Sequence, residues 1–372
     1  MNVTDYLELA APGLKGLRPY QPGKPIDELE REYGITNIIK LASNENPLGS
    51  SPLALDAIKQ ELNQLSRYPD GNGFVLKQAL SKKLGVPQPH ITLGNGSNDI
   101  LEIIARAFAT AGKEIIFSQH AFAVYPLVTQ VINATAVETA AKAWGHDLEA
   151  MARAVTNNTR LIFIANPNNP TGTWLAGDAL KAFIAALPRH VMVVVDEAYF
   201  EYASDPRMQA DGYPDALQWL DEFPNLIVTR TFSKAYGLAA LRVGYAVSHP
   251  GIADLLNRVR QPFNVNHLAL VAASAAVNDA QHLDKGIHTN AVGMQQLVEG
   301  FTALGLEFIP SVGNFISVDV GKAAAGVYDA LLREGVIVRP VANYQMPRHL
   351  RVTIGLAREN ARFLQALQKV LA

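Results

Sequence analysis

The chain has 372 residues, of which 49% are hydrophobic and 18% charged, and its formal net charge is -2. A chain of this length buries about three quarters of the surface that its unfolded form exposes and suffices for roughly two domains, which excludes a disordered or fibrous protein. The near-neutral charge without a basic run argues against a nucleic-acid partner, and zero cysteines with no closely spaced histidine pair argue against a protein-built metal site.

The N-terminal segment has neither a basic start nor an apolar core, and no stretch approaches the roughly 18 consecutive apolar residues of a membrane span. We therefore expect a cytoplasmic protein without membrane contact. Residues 1–25 are rich in Pro and Gly, which predicts an irregular arm. We assign residues 1–40 to an arm that packs on a smaller domain or on a partner subunit.

From residue 38 onward, short β-branched runs alternate with longer Ala- and Leu-rich stretches, a pattern typical of an α/β protein with a mainly parallel sheet. Each predicted strand is short, almost entirely apolar and followed at once by polar or unusual residues. Because ligands bind beyond the carboxyl ends of strands in such sheets, these strand ends are expected to form one site. The predicted strands are Ile91 to Leu93, Glu114 to Phe117, Leu161 to Ile164, Val191 to Val195 and Leu226 to Thr229.

The loop Gly94–Asp99 follows the first of these strands and precedes a predicted helix. Glycines followed by Ser and Asn at a helix start expose backbone N–H groups at the positive end of the helix dipole, which suits a phosphate. The alternative is an ordinary strand-to-helix turn in which Ser97 or Asn98 caps the helix. The loop matches neither the dinucleotide-binding pattern nor the P-loop pattern.

Asp196 stands at the end of an all-apolar strand and is followed by Glu197, Ala198 and Tyr199. A carboxylate in that place is costly to desolvate unless a cation or a strong donor faces it, and a protonated pyridine nitrogen would suit it. The alternative is that Asp196 caps a following helical turn.

Lys234 comes just past the last predicted strand, beside hydroxyl and aromatic residues. Burial in such a place lowers the pKa of an amine and makes it nucleophilic. Arg242, with Thr231 and Ser233, could hold a phosphate dianion through charge-assisted hydrogen bonds. Solvated Lys and Arg side chains are the commoner alternative, but the small, apolar flanking residues argue against it here.

Beyond residue 262 the pattern changes to helix, strand, helix, two strands and a final helix, which is typical of a smaller α+β domain. The segment Gln261–Asn264 is a plausible hinge before it. We therefore place a larger domain at residues 41–265 and a smaller one at residues 266–372.

A series of motifs runs along most of the chain: Leu41 to Pro47, Arg67 to Asp70, Gly94 to Ser97, Asn166 to Gly172, Asp196 to Tyr199, Ser233-Lys234 with Arg242, Gly335 to Pro340, and Leu350 to Gly355. In this order and spacing they resemble the fold-type I aminotransferases that use pyridoxal 5'-phosphate, and within them the branch that acts on histidinol phosphate. The resemblance extends from about Tyr20 to Arg358. It implies the fold-type I architecture, in which the larger domain holds a mainly parallel seven-stranded sheet.

The resemblance also implies a role for each residue around the cofactor. Lys234 would form a Schiff base with pyridoxal phosphate and move the proton during transfer, and Asp196 would pair with the pyridine nitrogen. Asn169 and Tyr199 would hydrogen-bond the ring oxygen, while Phe122 would stack on the ring face. The cofactor phosphate would be held by Gly96, Ser97, Asn98, Thr231, Ser233 and Arg242, with Tyr68 reaching it from the partner subunit of a homodimer.

On the substrate side, the resemblance implies that Arg351 and Arg339 bind the substrate anion, with Tyr20 and Asn46 adding contacts. A planar guanidinium is well matched to phosphate, whereas surface ion pairing is the alternative for both arginines. Many members of this branch carry an acidic residue where this chain has Asn98.

The activity implied by the resemblance is transfer of an amino group from histidinol phosphate to 2-oxoglutarate, which yields glutamate, in histidine biosynthesis. Three alternatives remain open at this point: an aromatic (Phe/Tyr) aminotransferase, a lyase with the same cofactor such as a threonine-phosphate decarboxylase, and a non-enzymatic regulator that binds pyridoxal phosphate. An imidazole pocket differs from a phenyl pocket by few contacts, so the cofactor motifs cannot separate the first of these.

Overall fold

The computed structural model describes residues 6–17 and 23–372. The predicted substrate contact Tyr20 lies outside them. In the described part of the chain, no helix is long and apolar enough to cross a membrane. The strands are β1 (Ile39–Lys40), β2 (Ile91–Gly94), β3 (Glu114–Ser118), β4 (Thr135–Thr139), β5 (Ala141–Lys142), β6 (Gly145–His146), β7 (Thr159–Ala165), β8 (Met192–Asp196), β9 (Leu226–Thr231), β10 (Gly244–Ser248), β11 (Phe308–Ile309), β12 (Phe315–Asp319), β13 (Val336–Ile337), β14 (Arg339–Pro340) and β15 (His349–Thr353).

Helices cover both faces of the largest sheet and one side of the smaller one. The helices are α1 (Tyr6–Leu9), α2 (Ile26–Tyr33), α3 (Pro52–Glu61), α4 (Phe74–Leu84), α5 (Ser97–Phe108), α6 (Val124–Val131), α7 (Leu148–Arg153), α8 (Gly177–Ala186), α9 (Phe200–Ala203), α10 (Pro250–Val259), α11 (His267–Val277), α12 (Ala280–Ala303), α13 (Ala324–Arg333) and α14 (Ala357–Leu371).

The largest sheet has seven strands in the order β2-β10-β9-β8-β7-β3-β4. Its neighbouring strands are parallel, except that β10 is antiparallel to β2 and to β9. The central strands β8 and β9 are buried almost throughout, because helices cover the sheet on both faces, and this is why they read as apolar runs. The predicted mainly parallel seven-stranded sheet is confirmed, and the carboxyl ends of the predicted strands share one edge.

The smaller sheet has four antiparallel strands in the order β11-β12-β15-β14. Its apolar face packs with α12, α13 and α14 in a second core, as predicted for a smaller α+β unit. The first of the two adjacent strands predicted in this region, at residues 336–341, divides at Val338. Its first half, β13, pairs in parallel with β1, whereas its second half, β14, pairs with β15.

The helix α11 packs in the core of the large sheet, where Ala269, Ala272 and Ala273 are fully buried. The next helix, α12, instead contributes Leu297 and Phe301 to the core of the small sheet. We therefore propose that the larger domain extends to the end of α11, beyond the predicted boundary at residue 265. Leu29 of α2 packs against residues of α13 and β13, which supports the proposed packing of the arm on the smaller domain.

Candidate active site

A cavity of about 200 Å³ lies beyond the carboxyl ends of the large sheet, where the small sheet faces it. Its lining combines residues from strands β7, β8 and β9, from the start of α5 and from the segment after β3 with others from β14 and β15. The predicted site residues that line it are Ser97, Asn98, Phe122, Asn169, Asp196, Tyr199, Thr231, Ser233, Lys234, Arg242, Arg339 and Arg351.

Lys234 follows β9, and its ammonium donates to the carbonyl of Ser43 over 3.1 Å. Burial, together with the positive charges of Arg351 and Arg242, lowers the pKa of Lys234 to about 7, while Glu45 opposes the shift. At neutral pH a large fraction of this amine is therefore unprotonated and nucleophilic. Its nitrogen lies 5.7 Å from the centre of the Tyr199 ring.

Asp196 ends β8 and is only 4% exposed. The hydroxyls of Tyr125 and Thr229 each donate to one of its two oxygens over 2.9 Å. Burial raises the pKa of Asp196, and these two hydrogen bonds oppose that rise. The carboxylate retains lone pairs toward the cavity, so it is suited to hold a protonated ring nitrogen there.

Ser97 and Asn98 at the start of α5 line the cavity together with Thr231, Ser233 and Arg242, and we call these five residues the anion cup. The first N–H groups of a helix have no partner within it and carry the positive end of its dipole. The Arg242 guanidinium donates to the Ser233 hydroxyl and to the Ala239 carbonyl, over 3.1 and 3.0 Å, and both of these partners are neutral. A Cβ on Gly96 would lie 2.2 Å from the Arg242 guanidinium, so a glycine is needed for this approach.

Arg351 is 7% exposed and lies on β15 directly opposite Arg339 of β14. Directly opposed residues of antiparallel strands share one face, so both guanidinium groups line the cavity. Arg351 donates to the Asn169 side-chain oxygen over 2.6 Å and to the Ala42 carbonyl over 2.7 Å. These two cations on one wall make that wall suited to an anionic substrate group.

Tyr199 supplies a hydroxyl to the cavity from the first turn beyond β8. Burial raises the pKa of Tyr199 to about 12, with the charge of Arg351 and a hydrogen bond from Asn44 opposing the rise, so the hydroxyl stays protonated at neutral pH. The Asn44 amide nitrogen donates to it over 2.9 Å. Asn169 and Tyr199 both line the cavity and present polar groups to it.

Of the predicted site residues within 6–17 and 23–372, three do not line this cavity. Gly96 packs directly against the Arg242 guanidinium, which lies 2.2 Å from where a Cβ of residue 96 would be. The Asn46 amide donates to the Ala235 carbonyl and accepts from the Leu48 N–H, so it acts in the loop next to the cavity. Tyr68 is 83% exposed on the outer surface.

The sequence did not single out several residues that the structure brings to the site. Ser43, Asn44 and Tyr344 line the cavity, and Tyr125 holds Asp196 from behind. Asn44 stood within the motif Leu41 to Pro47, where Asn46 was preferred. Tyr125 lies three positions after Phe122, and residues at this spacing are neighbours on a helical turn. This spacing was the one feature of the sequence that could have indicated Tyr125.

The donor set of this cavity fits pyridoxal 5'-phosphate. The helix N–H groups, the hydroxyls and the Arg242 guanidinium of the anion cup would hold the cofactor phosphate. The Asp196 carboxylate would hold the pyridine nitrogen, and the Lys234 amine, whose pKa is lowered, would react with the aldehyde. Phe122, whose ring packs edge-on against Tyr125 with centroids 5.9 Å apart, forms one apolar wall. An aromatic wall of this kind suits a planar heteroaromatic ring.

Comparison with known proteins agrees with this donor set. The family described as class I and II aminotransferases matches residues 36–367. Histidinol-phosphate aminotransferase 2 of Pseudomonas aeruginosa is 60% identical over 372 residues, which cover 100% of both chains. Histidinol-phosphate aminotransferase 1 of Nitrosococcus oceani is 59% identical over 366 residues, 98% of each chain.

Solved structures show the same fold. Histidinol-phosphate aminotransferase of Sinorhizobium meliloti, in complex with pyridoxal-5'-phosphate, superposes with a TM-score of 0.87 and 32% identity over 97% of each chain. Aspartate aminotransferase of Thermus thermophilus with maleate has a TM-score of 0.82 at 19% identity, over 97% of this chain and 99% of its own, and this likeness concerns the fold alone.

Proposed function

The chain belongs to the family of class I and II aminotransferases, and on that premise we propose that it transfers an amino group between histidinol phosphate and 2-oxoglutarate with pyridoxal 5'-phosphate as its cofactor. The observation that carries the proposal is that Lys234, Asp196 and the anion cup line the same cavity as Arg339 and Arg351. The first three suit the cofactor. The arginines suit a substrate that brings an additional anion.

When bound, the cofactor supplies a carbonyl that accepts the amino group and a ring that takes up negative charge. Lys234 acts as nucleophile and then carries a proton on its nitrogen between two carbon atoms of the reacting groups, and its pKa of about 7 suits both protonation states. Asp196 keeps the ring nitrogen protonated through its charge. Asn169 and Tyr199 orient the ring by hydrogen bonds to its oxygen.

The substrate phosphate is held in our proposal by Arg339 and Arg351. A phosphate dianion takes up charge-assisted hydrogen bonds from two guanidinium groups better than a single carboxylate does. The curated relatives named above act on histidinol phosphate by name, at 59% and 60% identity. This supports histidinol phosphate, whose anionic group is a phosphate dianion, over an aromatic amino acid, whose anionic group is a singly charged carboxylate.

A single-turnover experiment with the cofactor-loaded enzyme tests the proposed substrate. Histidinol phosphate, phenylalanine and glutamate are each mixed with the enzyme, and the absorbance of the lysine-bound cofactor is followed as it takes up the amino group. We expect histidinol phosphate to react at least about tenfold faster than phenylalanine. Fast conversion by phenylalanine alone would make the enzyme an aromatic aminotransferase, and released carbon dioxide would make it a lyase.

We further propose a homodimer in which Tyr68 reaches the cofactor phosphate of the partner subunit. Tyr68 stacks on Phe263, with ring centroids 4.8 Å apart, and both rings are exposed. Exposed apolar side chains gathered in this way support an interface with another chain. Side chains of the segment from α3 to the start of α4, with Phe263, are each between 44% and 83% exposed, namely Leu53, Leu55, Leu62, Leu65, Tyr68, Phe74, Val75 and Phe263.

A hybrid dimer tests this arrangement. Tyr68→Ala and Lys234→Ala variants are co-expressed, so that each mixed dimer has one site with both changes and one with neither if Tyr68 acts across the interface. We expect activity to recover to about a quarter of the unmodified level, because about half of the dimers are mixed and half of their sites are intact. If Tyr68 acts within its own subunit, no such recovery occurs. A cytoplasmic location remains part of this proposal.

A further inference from the structure

Asn44 connects the cavity to the small sheet through hydrogen bonds on both sides of its amide. Its nitrogen donates to the Tyr199 hydroxyl over 2.9 Å, and its oxygen accepts from the Thr353 hydroxyl over 3.1 Å. Its backbone N–H also donates to the Thr353 hydroxyl, over 2.9 Å. At 1% exposure Asn44 cannot exchange these partners for water.

The loop that carries Asn44 holds this geometry by its backbone. Asn44 has a φ of 56°, in the left-handed region that asparagine tolerates better than most residues. Its carbonyl accepts from the Asn314 side-chain amide over 2.9 Å. The amide of Asn44 is therefore held in one place by contacts with Thr353 and Asn314, both of which lie outside its own loop.

The direction of the hydrogen bond decides what Tyr199 can do. An amide nitrogen has only hydrogens to offer, so the Tyr199 oxygen accepts from Asn44. The single hydrogen of Tyr199 is then left to point elsewhere. Because Tyr199 lines the cavity and stays protonated, that hydrogen is available to an acceptor inside it.

The same strand that supplies Thr353 also supplies Arg351. Residues two apart on a strand share a face, so both side chains point to the same side of β15. Arg351 contacts Asn169, and Thr353 contacts Asn44, which in turn holds Tyr199. The strand that binds the substrate anion is thus linked to both groups proposed to contact the cofactor ring oxygen.

We propose that Asn44, held by Thr353, is a positioning residue that makes Tyr199 a hydrogen-bond donor to the cofactor and couples this donor to the anion-binding strand. The inference rests on the proposed function, in which Tyr199 donates to the ring oxygen. That hydrogen bond stabilises the negative charge which the ring oxygen carries once the lysine–cofactor linkage loses its proton. It therefore lowers the pH at which the linkage deprotonates.

The test is a pH titration of the absorbance of the cofactor-loaded enzyme in Asn44→Asp. The two oxygens of an aspartate accept only, so the Tyr199 hydrogen turns toward residue 44 and is lost to the cofactor. We expect the midpoint of the titration to rise by about one pH unit, which is the size expected for a hydrogen bond to a charged group. Thr353→Val should raise the midpoint by less, and Thr353→Ser, which keeps the hydroxyl, should leave it unchanged.

A Tyr199→Phe variant distinguishes a wrong role for Asn44 from a wrong contact between Tyr199 and the cofactor. If Tyr199→Phe raises the midpoint but neither Asn44→Asp nor Thr353→Val does, Asn44 is only a structural residue and the inference is overturned. If Tyr199→Phe itself leaves the midpoint in place, the proposed contact between Tyr199 and the cofactor is wrong, and the inference falls with it. Should Asn44→Asp fail to fold, the pair Thr353→Val and Thr353→Ser decides, because lost stability alone does not move a midpoint.

Discussion

The two sides of the cavity are built in different ways. On the cofactor side, Ser97, Asp196 and Lys234 each stand at or just beyond the carboxyl end of a strand of the seven-stranded sheet. On the substrate side, Arg339 and Arg351 stand on two strands of the small sheet, one of them only two residues long. The cofactor side therefore takes its geometry from one buried sheet, whereas the substrate side depends on how two sheets meet.

This difference predicts that changes on the cofactor side affect every amino donor alike, whereas changes on the substrate side distinguish among donors. In the proposed function, the anion cup and Asp196 contact groups that are common to all reactions of the enzyme. Arg339, in contrast, is proposed to contact a group that only some substrates carry. Substitutions on the two sides of the cavity therefore test this difference.

The largest expected effect comes from Lys234→Ala, which removes the proposed nucleophile and the proposed proton carrier together. We expect kcat to fall by more than about 10⁴-fold with histidinol phosphate and with glutamate. The absorbance of the lysine-bound cofactor should also disappear. Lys285→Ala, which alters an exposed lysine of α12, is the matched control and should change neither quantity. An unchanged absorbance in Lys234→Ala would remove this residue from its proposed role.

Arg339→Ala should lower kcat/KM for histidinol phosphate by about 10- to 100-fold, the usual value of a charge-assisted hydrogen bond to an anion. For glutamate, which lacks a phosphate, we expect a loss of only a few-fold. Arg348→Ala is the matched control, because Arg348 is an exposed arginine before β15 that pairs with Asp319. Equal losses for both donors would mean that Arg339 serves anions in general.

Tyr125→Phe should lower kcat by about tenfold for all donors, since it removes one of the two hydroxyls that donate to Asp196. That hydrogen bond lowers the pKa of Asp196, so its loss raises this pKa further above the usual value. The acidic limb of the pH–rate profile should then move to higher pH. Tyr213→Phe, which removes a half-buried hydroxyl that donates to the Asn166 carbonyl, serves as the control and should not move that limb.

The smallest expected effect is a shift in the pH dependence of cofactor attachment to the cofactor-free protein. Only the neutral amine of Lys234 reacts, so the attachment rate should rise with pH and level off above about 7, the pKa of Lys234. Arg351→Gln removes a positive charge that lowers this pKa, so the midpoint should rise, by less than about one pH unit. A midpoint near that of an ordinary lysine in the unmodified protein would contradict the burial of this amine.

Five strands of the large sheet were predictable because each is a short, mostly apolar run followed by polar residues, whereas β4 and β10 were not predicted. The helix α12 was not predicted, although it spans 24 residues. Glycines at positions 286, 293 and 300 interrupt its pattern and look like helix breakers in the sequence. A Cβ on Gly293 would lie 2.5 Å from Ile354, and one on Gly300 would lie 2.4 Å from Leu364, so these glycines serve close packing instead.

The sequence by itself determined the α/β class and five of the strands that end at the site, and it singled out the amine, the carboxylate and the loop that are proposed to hold the cofactor. These signals are local, because a buried strand and the residue after it are neighbours in the chain. Only the tertiary structure decided that Asn44 rather than Asn46 lines the cavity and that Thr353 holds it from 309 residues away. Contacts over such a separation depend on how the two sheets pack, and no local pattern of residues encodes that.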